Sequence, residues 1–243
     1  MRTDAFTLPS GTECEIREFD GKTEKLFSDK SLVNSGRVID LIIARSLVSL
    51  DGKTISNEHE GEEAALNMLS GDRNFLLVKI RVLNYGPEMY INHRCPVCGE
   101  WAGYELNLEE LLADEDEPSL TIRPFNPPVT VELSNGDKAE LRDMTGRNER
   151  RLAALKEVTA LDVEMSCVAS INGEKPKRGY FDNLPVRDLS LIRDTYAEKL
   201  NGGLDGTIYL TCRNCNAENE VFIASVRDFF APRKMNSARR SRS

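Results

Sequence analysis

Two Cys-x-x-Cys pairs, Cys95-Pro96-Val97-Cys98 and Cys212-Arg213-Asn214-Cys215, stand 117 residues apart in a chain of 243. Each puts two sulfurs at i and i+3, where both can point at one ion. Each is followed by a residue that tolerates a left-handed turn back toward the sulfurs, Gly99 in one case and Asn216 in the other. Two such knuckles make a tetrahedral set of four thiolates, with Zn–S near about 2.3 Å. Cys95, Cys98, Cys212 and Cys215 are therefore expected to hold one Zn2+ per chain. Four cysteines leave no open coordination position, so such a metal is structural and not catalytic. The long separation excludes one compact ribbon and points to a site closed between two parts of the chain. Rival readings use the same four residues. A thioredoxin-like redox pair normally opens a helix after a strand, whereas a strand-like stretch follows each pair here. Disulfides are disfavoured in a reducing cytosol. An iron–sulfur cluster also takes four cysteines, and nothing in the spacing favours it over zinc.

The knuckles belong to a longer repetition. Residues 6–26 and 131–151 align at a constant offset of 125, with identities at Leu8/Leu133, Gly11/Gly136, Glu15/Glu140, Arg17/Arg142, Gly21/Gly146 and Glu24/Glu149. Chance gives roughly one identity in such a stretch. SLDGK (49–53) matches SINGE (170–174), and LSGDRNFLL (69–77) is similar to LPVRDLSLI (184–192). Both halves share the order hairpin, helix, helix, knuckle, strand. The expected fold is α+β and internally duplicated, with two pseudo-twofold-related repeats joined at a shared zinc-ribbon-like site. The expected divisions are a first repeat at 1–112, an acidic linker at 113–120, a second repeat at 121–232 and a basic tail at 233–243.

Local signals place the elements. Strands are predicted at 6–8 and 13–19 around the turn Pro9-Ser10-Gly11, which Ser134-Asn135-Gly136 repeats. Asp20 and Thr145 are predicted helix N-caps. Helices are predicted at 38–50, 75–83, 148–171 and 186–200, and strands at 89–94 and 207–211 before the knuckles. Cys14 and Cys167 read as small core residues, with Ala139 at the position matching Cys14. His59 lies in the polar stretch SNEHEGEE, read as a loop, and is expected in solvent. His93 is two residues before Cys95, but its repeat mate is Leu210, so it is not expected to be a ligand.

Charge narrows the functional classes. The chain carries a net −8 at a pI near 5.1, which argues against a general nucleic-acid binder. The tail concentrates Arg233, Lys234, Arg239, Arg240 and Arg242, and removing its five charges leaves −13 on the body. The tail reads as a frayed terminus or as an arm for an acidic partner. No secretory leader is expected, and the apolar run at 38–50, interrupted by Asp40 and Arg45, is too short for a membrane span. No fingerprint of a hydrolase, metalloprotease, P-loop or dinucleotide-binding enzyme occurs, so no catalytic residue is assigned. The alternating Glu15/Arg17 and Glu140/Arg142 read as exposed strand faces with cross-strand ion pairs.

Several of these motifs occur together in one known family. LPSG with its EIREF strand, LSGDRNFLLVKIRVLNYGPEM, CPVCG, VELSNGDKAELRDMTGRNE and the second Cys-x-x-Cys resemble the baseplate (hub) assembly proteins of contractile-tailed bacteriophages of the T4 type. The resemblance runs from about residue 6 to 232, and the GDRN…YGPE…CPxCG block is its most specific part. It implies a structural or assembly role at the centre of the tail baseplate. The implied partners are other tail and baseplate hub proteins, with the tape-measure protein a candidate among them and several copies per baseplate. It also implies the host cytoplasm during assembly and then the virion. Two alternatives stand beside it: a tail-assembly chaperone absent from the mature virion, and a zinc-ribbon regulator binding nucleic acid through the tail.

Overall fold

The structure is a computed structural model, and it describes residues 1–113, 120–223 and 229–230. The acid run at 114–117 and the basic tail at 233–243 lie outside the described residues.

The first part of the chain opens with a hairpin of β1 (Thr3–Thr7) and β2 (Glu13–Arg17). Asp20 caps α1 (Gly21–Glu24) by accepting from the Thr23 N–H at 2.8 Å. A 3-10 turn (Lys25–Ser28), α2 (Lys30–Asn34) and α3 (Arg37–Ser46) follow. The chain then turns directly into β3 (Leu47–Leu50) and β4 (Lys53–Thr54), so the four strands form one antiparallel sheet in the order β1-β2-β3-β4. The single helix predicted over 38–50 is therefore a helix and a strand. Apolar residues at 47, 48 and 50 fit either period. Pairing of Leu47 with Ile16 and of Leu50 with Cys14 settles it, because it closes the sheet over the core. Two helices complete this part, α4 (Glu58–Asn67) and α5 (Ser70–Tyr85). α5 extends the predicted 75–83 at both ends and stops at Gly86.

Next come β5 (Glu88–Arg94), β6 (Trp101–Asn107), α6 (Leu108–Ala113) and β7 (Ile122–Arg123). The second part then runs through β8 (Val129–Glu132), β9 (Lys138–Leu141), α7 (Gly146–Ala153), α8 (Ala160–Cys167) and β10 (Val168–Ile171). The predicted helix 148–171 is three elements. Thr159 and Asp162 form a capping box that starts α8 afresh, and the last four residues join a sheet in the order β10-β9-β8. The described residues continue with α9 (Arg178–Asp182), α10 (Val186–Lys199), β11 (Gly203–Leu204), β12 (Thr207–Thr211) and β13 (Glu218–Phe222).

The two sheets agree in detail. β2 meets β3 with Cys14 opposite Leu50, Glu15 opposite Ser49 and Ile16 opposite Leu47, which leaves Val48 as a bulge. β9 meets β10 with Ala139 opposite Ile171, Glu140 opposite Ser170 and Leu141 opposite Val168, which leaves Ala169 as a bulge. Both hairpin turns are held by a buried helix aspartate. The Ser10 N–H donates to Asp72 at 3.0 Å, and the Ser134 N–H donates to Asp188 at 3.1 Å. This corrects the alignment of 69–77 with 184–192 by one residue, since Asp72 corresponds to Asp188 and not to Arg187.

Among the described residues, two apolar clusters form the interior. One contains Ala139, Leu141, Cys167, Phe181 and Ile192. The other is built on Ile16, Ile42, Leu47, Leu76 and Ile80, and it also takes in Leu120, Leu204, Ile208, Leu210, Ile223, Phe229 and Phe230 from beyond the acid run. The parts meet along α5. Ser70 N–H donates to the Met144 carbonyl at 2.9 Å, and a Cβ on Gly71 would lie 2.0 Å from the Gly202 carbonyl oxygen. Beside this contact, buried Arg73 donates to Asp40 and Glu149, both at 2.8 Å. Arg150 of α7 reaches the other Asp40 oxygen at 2.7 Å and also Glu62.

Candidate metal centre

Each knuckle is the tip of a two-stranded ribbon. β5 and β6 pair from Glu88 opposite Asn107 to Arg94 opposite Trp101, and β12 and β13 pair from Thr207 opposite Phe222 to Thr211 opposite Glu218. Strand ladders this regular deliver the cysteines in a fixed direction. The turns are then closed identically. Cys95 N–H donates to the Glu100 carbonyl at 2.9 Å and Gly99 N–H to the Cys95 carbonyl at 2.9 Å. Cys212 N–H donates to the Ala217 carbonyl at 2.8 Å and Asn216 N–H to the Cys212 carbonyl at 3.0 Å. Gly99 and Asn216 are both left-handed, at φ 77° and 58°.

The tips face one another. The four sulfurs of Cys95, Cys98, Cys212 and Cys215 all lie within 4.8 Å of one another. Cys95 Sγ is 3.7 Å from Cys215 Sγ, and Cys98 Sγ is 3.7 Å from Cys212 Sγ. A tetrahedron with metal–sulfur arms of about 2.3 Å has edges of about 3.8 Å. A disulfide needs S–S of about 2.05 Å. The donor set thus has the size and chemistry of a tetrahedral thiolate site. Among the described residues it is the one group of three or more Cys, His, Asp or Glu side chains that converge to hold an ion. Cys95 and Cys212 are buried, Cys98 is half-buried and Cys215 is exposed.

Backbone polarity prepares the sulfurs for a cation. The N–H of Cys98, with that of Val97, lowers the Cys95 thiol below its usual range. The Glu100 N–H, with the Asn214 side chain, lowers Cys98. For Cys215 the Ala217 N–H works in the same direction. Burial and the sulfurs of Cys98, Cys212 and Cys95 outweigh it, and the thiol is raised. Thiolates this close repel one another, and a divalent ion bound among them would relieve that repulsion.

The ribbons also touch directly. Tyr104 of β6 donates its hydroxyl to the Thr211 carbonyl at 3.1 Å, and the Arg213 guanidinium sits 5.3 Å from the Tyr104 ring centre. His93 sits on β5 opposite Ala102, outside the sulfur cluster. His59 is exposed, as expected, but on α4 and not in a loop. Cys14 and Cys167 are buried in the two separate apolar clusters. The expected cross-strand ion pairs at 15/17 and 140/142 are replaced by other contacts. Arg17 donates to the Arg45 carbonyl at 3.1 Å, and Glu140 accepts from Ser170 at 3.0 Å. Sequence reasoning missed the Arg73–Asp40–Arg150 cluster. Its one visible signal is an acid inside the apolar run at 38–44.

The family model described as T4 bacteriophage base plate protein matches residues 1–231, a span that takes in both ribbons. The chain belongs to this family. No curated protein and no solved structure matches the chain. As a base plate protein, it has a structural role in the phage tail and associates with other base plate proteins. No helix among its described residues is long and apolar enough to cross a membrane.

Proposed function

We propose that this base plate protein is a non-catalytic component of the baseplate hub, held together by one structural Zn2+ on Cys95, Cys98, Cys212 and Cys215. The observation that carries the reading is the meeting of four sulfurs within 4.8 Å, two from each of two ribbons over a hundred residues apart in sequence. Zinc is favoured because four thiolates in a tetrahedron suit its lack of geometric preference and of redox chemistry. The metal would add folding energy and no reaction, since every coordination position is taken by protein.

The two halves, 1–112 and 121–232, are proposed to descend from one duplicated unit. Support comes from the identical strand registers, the bulges at Val48 and Ala169, and the matching Ser10–Asp72 and Ser134–Asp188 anchors. In that reading the zinc site sits between the two copies. The partners would be neighbouring hub proteins in the tail. The protein would be present in the host cytoplasm during assembly.

Two measurements test this. Metal analysis of protein purified without added metal should give one zinc per chain, and a Cys95→Ser/Cys212→Ser variant should lose it. Retention in that variant would sink the shared site. Mass spectrometry of purified virions should find the protein in baseplates. Its absence from virions but presence in assembly intermediates would replace the hub reading with that of a tail-assembly chaperone.

A further inference from the structure

We propose that the four-cysteine cluster is also a site of oxidative modification, at which loss of the metal is coupled to two disulfides between the ribbons, Cys95–Cys215 and Cys98–Cys212. This rests on the metal reading above. Three observations carry it.

The first is pairing. Both 3.7 Å sulfur contacts run between the ribbons, Cys95 to Cys215 and Cys98 to Cys212, and together they use all four sulfurs. Closing such a contact to a bond needs a movement of less than 2 Å or so. The second is graded access. Cys212 and Cys95 are 1% and 3% exposed, Cys98 is half-buried and Cys215 is exposed, so a small oxidant meets Cys215 first. The third is isolation of the other thiols. Cys14 and Cys167 lie buried in different apolar clusters, and burial, with neighbouring carboxylates, pushes Cys14 up to about 12. Burial likewise takes Cys167 to about 12. At 3% and 2% exposure, both are closed to the dissolved oxidant that reaches Cys215.

The oxidant is a peroxide. The Cys215 sulfur attacks one peroxide oxygen, the O–O bond breaks, and hydroxide leaves to become water. The resulting sulfenic acid is attacked by the Cys95 sulfur, which forms the S–S bond and expels the second oxygen, again as water. Two thiolates, one hydrogen peroxide and two protons thus give one disulfide and two waters. A second peroxide converts Cys98 and Cys212 in the same way. The sulfurs have then given up the charge that held the ion, which is released. A particle moving from a reducing cytoplasm to an oxidising exterior would exchange an ionic tie for a covalent one, with the ribbons joined throughout.

The test is a hydrogen peroxide titration of zinc-loaded full-length protein. Zinc release is read with a chromogenic chelator, and disulfides are mapped without reduction. Trypsin cuts at Arg213, so Cys212 and Cys215 fall on separate peptides (200–213 and 214–227), while Cys95 and Cys98 share peptide 95–138, since Pro124 blocks cleavage at Arg123. The expected result is complete zinc release with both C-terminal peptides attached to 95–138. Fragmentation should assign 95 to 215 and 98 to 212, and dithiothreitol with zinc should restore the starting state. Bonds within a knuckle, 95 to 212 pairing, sulfinic acids in place of bonds, or zinc retained in excess peroxide would each overturn the proposal. A Cys14→Ala/Cys167→Ala variant should behave like the parent. If the purified protein holds no zinc but still forms the two ribbon-to-ribbon bonds, the metal reading fails and the pairing stands. If it holds zinc but oxidises within each knuckle, the reverse is true.

Discussion

Replacing Arg73 by methionine should destabilise the protein severely, because its guanidinium is shared by both parts of the chain. The side chain is 2% exposed and that of Asp40 is 1% exposed. Arg73 gives one N–H to Asp40, one to Glu149 and one to the Ala65 carbonyl. Methionine keeps most of the volume and removes all three donors. Removing one partner of a buried ion pair costs about 3–5 kcal/mol. Arg150 still holds Asp40 at 2.7 Å, which argues for the lower end. The bare Ala65 carbonyl adds about 1 kcal/mol. With a urea m value of about 3 kcal/mol per molar, a loss of about 4 kcal/mol moves the midpoint down by about 1.3 M. The assay is urea unfolding of zinc-loaded protein followed by far-ultraviolet circular dichroism. Arg45→Gln is the control, since its ion pair with Glu58 is open to solvent and worth about 0.5 kcal/mol. An Arg73→Met/Asp40→Leu double variant should recover about 2 kcal/mol relative to the sum of the single changes. A midpoint for Arg73→Met no lower than that of the Arg45 control would refute the account of this joint.

Gly71→Ala should cost about 1–3 kcal/mol by driving α5 off the Gly202 carbonyl at 2.0 Å, read as a fall in thermal midpoint, whereas Gly21→Ala, with nothing within 4 Å, should not lower it. Asn216→Gly should keep zinc affinity in a competition titration and Asn216→Val should lose it about tenfold, since a β-branched residue resists the φ of 58° found there. Hydrogen bonds from Arg37, joined by Arg150, hold Glu62 down at about 2 from its usual 4.5. A depressed carboxylate gives stability that is full above pH 4.5 and is lost as pH falls toward 2, so Glu62→Gln should flatten that limb of the stability–pH curve.

What the sequence made legible was local. The ribbons are readable because each knuckle sits between two short β-rich runs, and β12 occupies the predicted 207–211. Asp20 and Thr145 were readable as caps because a capping side chain acts on its own next turn. Errors fell where a helix runs into a strand with no glycine or proline between, at Ser46–Leu47 and Cys167–Val168. There the apolar pattern satisfies both periods, and only the partner strand decides. The sulfur cluster could be anticipated because cysteine chemistry limits what four such residues do. The Arg73 cluster could not. Asp40 lies 33 residues before Arg73 and 110 before Arg150, and an arginine that is buried looks in sequence like one that is solvated.

The assignment of the last strands to the first apolar cluster has a consequence for synthesis. Ile16, Ile42 and Leu76 leave the ribosome long before Ile208, Ile223 and Phe230, which cover the same interior. At about 5–20 residues per second, the roughly 120 residues between α5 and β11 take about 6–24 s to make. For that interval the nascent chain carries an N-terminal core that lacks its lid, and its apolar surface is open to holding factors or to neighbours on the same message. A premature stop near residue 200 is therefore expected to destabilise the first 85 residues as well as to remove the missing ones.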